Sequence, residues 1–197
     1  MTSGGLQALV VVLALFCAWH AWITLGPRLA AAFLAIAVVT SWALEELGVV
    51  TGLVFGGYHY TSALGPSIGS VPILIPVAWF ALAYPTSVLV DLVAGRWVAG
   101  SPGGGRRLVA LAMAGALAMT AWDLALDPIL SGPTWRAWVW EAGGPAGAIP
   151  AQNYVGWAAT AFAIFIAFRL VQRRAAGVGA GSESNAPSRI APSPARL

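Results

Sequence analysis

Five apolar runs, each close to the length that crosses a bilayer, restrict what this chain can become: Leu6–Leu25, Arg28–Val50, Val71–Val93, Leu108–Leu126 and Asn153–Val171. About 20 residues rising about 1.5 Å each traverse roughly 30 Å of hydrocarbon, and in that layer a helix satisfies its own backbone. Charged residues are 9% of the 197 and apolar residues 59%, whereas a soluble domain carries about 25% charged. The first run lacks a basic leader, and its apolar core exceeds the roughly 7–15 residues of a signal peptide, so it reads as a span. The expected fold is all-α: a polytopic membrane bundle of five helices, with room for a sixth, partial helix within Pro133–Ala148.

Arginine placement orients the bundle. One side collects Arg28, Arg96, Arg106, Arg107, Arg173, Arg174, Arg189 and Arg196, and the other receives Arg136, with Glu141 beside it. Positive charge marks the cytoplasmic side, which gives an outer N-terminus, an inner C-terminus and a multi-pass protein of the cell membrane, bathed in lipid. Residues 1–174 read as a single transmembrane domain. The Gly/Ser/Ala/Pro-rich residues 175–197 read as a disordered cytoplasmic tail, and the "GSPGGGRR" stretch as a cytoplasmic linker. A net charge of +3 spread over segment ends offers no stripe for a phosphate backbone, so nucleic acid is not an expected partner. The single cysteine, Cys17, excludes an internal disulfide.

On this topology most of the uncommon polar residues converge on the outer end. Asp123 and Asp127 lie one turn apart on one helical face, and Pro128 disfavours helical geometry at Asp127, so the pair is expected to end the fourth helix. A helix C-terminus, apolar surroundings and a second carboxyl all favour the neutral acid. A carboxylic acid kept protonated is a general acid. Of Glu45 and Glu46, about 100° apart on a helix, one can face the bundle and the other must find a polar neighbour or the interface. Tyr58, His59 and Tyr60 fall in an outer connection, with His59 read either as an interfacial residue or as part of the site. Gly48, Gly52 and Gly56 form a small-xxx-small ladder able to extend the second helix. Asp91, five residues from Arg96, reads as structural or solvated, and Trp19, Trp22 and Trp97 as an interfacial belt.

Four blocks carry a family resemblance: "EELGVVTGLVFGGYHY" (Glu45–Tyr60), "LGPSIGSVPILIPVAW" (Leu64–Trp79), "AWDLALDP" (Ala121–Pro128) and "IPAQNYVGW" (Ile149–Trp157). In this order, across Trp42–Trp157, they resemble the carotenoid hydratases of the CruF type. The resemblance implies cofactor-independent addition of water across the terminal C1–C2 double bond of a linear carotenoid, which is carbon–oxygen lyase chemistry. The residues suit it: a carboxylic acid protonates C2, aromatic faces stabilise the tertiary cation at C1, and a held water captures it. Asp123 is the expected donor, Asp127 its partner, and Glu45 the base that orients water. Tyr58, His59, Tyr60, Trp122 and Trp157 form the expected surround, with Asn153 as polar positioner. The donor role could equally fall to Asp127 or Glu45, and no metal is expected.

Two other readings compete. Asp-x-x-x-Asp could hold Mg²⁺ against a diphosphate in a prenyl-transferring enzyme, although the outer side supplies one arginine. A non-catalytic carotenoid- or lipid-binding protein, or a small transporter, would use the same apolar, Trp-rich end. So few helices around a long polyene leave room for a homo-oligomer or a complex with other enzymes of the pathway.

Overall fold

The computed structural model describes residues 3–98, 104–141 and 149–184. Among the described residues five helices are long and apolar enough to cross a membrane: α1 (Ser3–Leu25), α2 (Pro27–Thr51), α3 (Leu74–Val98), α4 (Gly104–Leu130) and α5 (Ala151–Ser184). The helix α1 packs between α2 and α3, α5 packs between α2 and α4, and α3 also touches α2 and α4. The fold class is the all-α membrane bundle read from the apolar runs. Residues 175–184 of the expected tail continue helix α5, and the rest of it, from residue 185 onward, lies outside the described residues, as does linker segment 99–103.

Short strands, which helical periodicity cannot show, occupy the connections. Tyr58–Tyr60 (β1) pairs antiparallel with Trp138–Trp140 (β4), and Ser67–Ile68 (β2) pairs with Val71–Pro72 (β3). The third helix therefore starts at Leu74 rather than Val71. Within Pro133–Ala148, where a partial helix had room, residues 138–140 form a strand, and 142–148 lie outside the described residues. The β1–β4 ribbon joins the α2–α3 and α4–α5 connections, so the C-terminal ends of α2 and α4 share one end of the bundle.

The glycine ladder does not extend α2. Gly52 takes φ 69° as a left-handed C-cap, its N–H bonded to the carbonyl of Gly48, and ends the helix. Gly48 instead makes room for a ring: a Cβ there would lie 2.7 Å from Phe55. Helix α4, by contrast, runs through Pro128 to Leu130, so Asp127 is helical and the predicted stop falls three residues early. In α3, Pro85 has no N–H for the carbonyl of Ala81, and the Cys17 thiol donates to that oxygen at 3.6 Å. Asp91 pairs with Arg169 of α5, at 2.7 Å.

Candidate active site

Beneath the β1–β4 ribbon lies a cavity of about 340 Å³ whose walls are almost wholly apolar. Its carboxyl and amide side chains are Glu45 of α2, Asp123 and Asp127 of α4 and Asn153 of α5, none more than 4% exposed. Buried carboxyls are costly unless bonded, so their partners define the site.

Glu45 receives three donors: the Tyr58 hydroxyl at 2.5 Å and the Tyr60 hydroxyl at 2.7 Å on Oε2, and Trp79 Nε1 at 2.9 Å on Oε1. Asp127 also receives three: Trp138 Nε1 at 2.9 Å and Trp140 Nε1 at 3.3 Å on Oδ1, and Asn153 Nδ2 at 2.8 Å on Oδ2. The same Asn153 amide donates to Asp123 Oδ2 at 2.6 Å, so its two hydrogens serve one carboxyl each. Among the described residues no donor reaches Asp123 Oδ1. Because Asn153 sits in the first turn of α5, the positive end of that helix lies beside the pair and opposes the negative end of α4. Loss of water, then the charge of Glu45, pushes the Tyr58 and Tyr60 phenols above their ordinary value, so both stay protonated as donors.

Strand alternation decides who faces the cavity. Register pairs Tyr58 with Trp140 and Tyr60 with Trp138, so all four rings line one face of the ribbon. His59, between the tyrosines, is turned to the opposite face; it is exposed and bonds Glu141 at 2.9 Å. The place given to His59 in the surround is thus corrected: a residue read as part of a loop has no fixed face, whereas in a strand its neighbours' inward aim forces it outward. Trp157 stacks on Trp79 with ring centroids 4.1 Å apart, and Trp122 also lines the cavity. Glu46 turns away from Glu45 and accepts from the Ser70 N–H and hydroxyl, anchoring the β2–β3 turn. Arg136, the arginine assigned to the outer side, is exposed and has φ 43°; indoles and an amide satisfy the aspartates.

Trp79, Trp138 and Trp140 belong to the site but were not among the expected site residues. The signal was Tyr-x-Tyr and Trp-x-Trp spacing, a period of two inside connections assumed to be loops. Indole N–H groups are donors without acceptor capacity, which suits them to a buried carboxylate.

Comparison with known proteins places the chain. The bisanhydrobacterioruberin hydratase of Haloarcula japonica is 35% identical over 127 residues, which is 63% of this chain and 40% of that protein. The chain therefore spans well under half the length of this curated relative. No solved structure matches it. The family described as carotenoid biosynthesis protein matches residues 5–191. Nearly the whole chain lies within that match, and it belongs to the carotenoid biosynthesis protein family, of the CruF type that its four motif blocks resemble.

Proposed function

We propose that this protein is a carotenoid 1,2-hydratase that adds water to the terminal double bond of a linear carotenoid without a cofactor. The observation that carries the reading is the unequal bonding of the carboxyls around an apolar cavity. Glu45 and Asp127 are each surrounded by three hydrogen donors, the environment of an anion. Asp123, with a single donor on Oδ2, has Oδ1 left to carry a proton. That proton goes to C2 of the alkene, and the tertiary cation forms at C1. The anions at Glu45 and Asp127 and the faces of Trp122 and Trp157 stabilise it. Water attacks C1, and the proton it sheds returns to Asp123, by way of Asp127 or Glu45, so the cycle closes with one water consumed. Asn153 holds the two aspartates in register.

A magnesium-dependent prenyl transfer fits less well. A cation at Asp127 would face two indole N–H groups and an amide, all aiming hydrogens at it. Expression in a lycopene-accumulating bacterium, with pigments resolved by liquid chromatography and mass spectrometry, is expected to give products heavier by one or two waters. Folded protein that returns lycopene, gamma-carotene and longer acyclic carotenoids unchanged would leave a pigment-binding role instead.

The ribbon end faces outward in this proposal, since Arg28, Arg106, Arg107, Arg173 and Arg174 gather at the other end. His59 is exposed on the ribbon. A His59→Cys variant in intact cells is expected to react with a membrane-impermeant thiol reagent; protection until the cells are opened would invert the topology.

A further inference from the structure

We propose that the polyene reaches the carboxyls sideways from the bilayer, through a mouth between α1 and α4, and that its end group alone goes inside. The proposal rests on the hydratase reading for the identity of the ligand and adds its route and its limit of penetration.

The ribbon closes the cavity from above. Tyr58 and Tyr60 are bonded to Glu45, and Trp138 and Trp140 to Asp127, so opening the roof breaks four bonds to buried carboxyls. Toward the opposite end the bundle is filled. Phe33 is fully buried against Phe80, Tyr84 and Phe168, with ring centroids 4.5–6.2 Å apart in this cluster, and Met119, one turn below Asp123, is fully buried. Among the described residues these side chains fill the axis, leaving no straight passage for a long chain.

One edge is different. Both α1 and α4 pack on α3, yet they form no packed interface with each other among the described residues. Leu9 and Leu13 of α1 and Trp122 of α4 line the cavity while remaining 55%, 37% and 48% exposed. A residue that lines a cavity and is also exposed marks its opening, and here the exposure is to the hydrocarbon layer. The cavity volume of about 340 Å³ sits near the bottom of the roughly 300–1,000 Å³ that encloses a drug-sized ligand. It accommodates a branched terminal unit and not a long polyene. The remaining conjugated chain must lie in the bilayer, passing between Leu9, Leu13 and Trp122. A carotenoid with two reactive ends then has to withdraw, turn and return, so the singly hydrated product is released to the membrane before any second addition.

The test blocks the mouth after folding. A Leu9→Cys variant in membranes is labelled with a bulky disulfide-forming thiol reagent, and labelling is quantified by mass spectrometry; the buried Cys17 of the unsubstituted protein sets the blank. Lycopene retained through purification and hydrated product formed are both measured. Labelled protein is expected to lose about tenfold or more in each, because a blocked end group cannot reach its reactive position, and reduction of the label is expected to restore both. The same label on Val12→Cys, whose exposed side chain does not line the cavity, is expected to change neither. Full retention and full product with stoichiometric label at Leu9→Cys would overturn the lateral route and leave the hydratase reading intact. Retention that depends on the mouth, with no hydrated product even from unlabelled protein, would keep the route and overturn the hydratase.

Discussion

Asp123→Asn yields a folded protein that still binds its polyene and no longer hydrates it. Product formation is expected to fall by about 10³-fold or more, within the range of roughly 10²–10⁴ for loss of a positioned general acid and its share of charge stabilisation. The fold survives because the new amide can present its oxygen to Asn153 Nδ2, replacing the single bond that Asp123 accepts. Asp127→Asn behaves differently. Three N–H donors converge on Asp127, and an amide must turn its own NH₂ toward either the indoles or Asn153. That buried donor–donor conflict costs about 1–3 kcal/mol, so Asp127→Asn loses thermal stability along with activity. Pigment analysis paired with melting curves in detergent separates the two variants. Equal activity of Asp123→Asn and the wild type would remove Asp123 from the donor role.

The largest effect on stability is expected at Glu45. Leucine there leaves the Tyr58 and Tyr60 hydroxyls and Trp79 Nε1 without an acceptor. At about 1–3 kcal/mol for each buried orphan, Glu45→Leu is destabilised by roughly 3 kcal/mol or more. Glutamine is milder: its amide oxygen can take the Oε2 position and keep both phenols, so that the Trp79 N–H alone is opposed. Adding Tyr58→Phe and Tyr60→Phe to Glu45→Leu removes two of the orphans and is expected to return part of the lost stability, a coupling that a mutant cycle measures. An unchanged melting temperature in Glu45→Leu would show that the ribbon is not held down through this carboxyl. Because these two phenols are half of the roof, the variant also opens the site to water, and its hydration activity should fall with its stability.

The relation between Glu45 and Glu46 shows how far local rules reach. Helical geometry alone says that adjacent side chains diverge, and Glu45 indeed turns inward while Glu46 finds Ser70. The identity of the inward residue required the bundle. The aspartate pair was legible for the same reason: a spacing of four on a helix fixes a shared face without reference to the rest of the chain. Their helix end was not, because Pro128 lacks only its own N–H bond and α4 carries its kink-prone last turn through to Leu130.

His59 and the tryptophans mark the opposite limit. Three-residue strands are too short for periodicity to announce them, and β1 exists only because β4, 78 residues further along from Tyr60 to Trp138, supplies its hydrogen bonds. The sequence by itself determined the membrane bundle, since apolar runs of spanning length have no other way to satisfy their backbone in lipid. It determined as well that buried acids would meet at one end. Tertiary structure alone decided which donors those acids receive, that His59 faces away, and that the cavity opens between α1 and α4. Each of these depends on long-range pairing, where a side chain's surroundings come from elements distant in the chain.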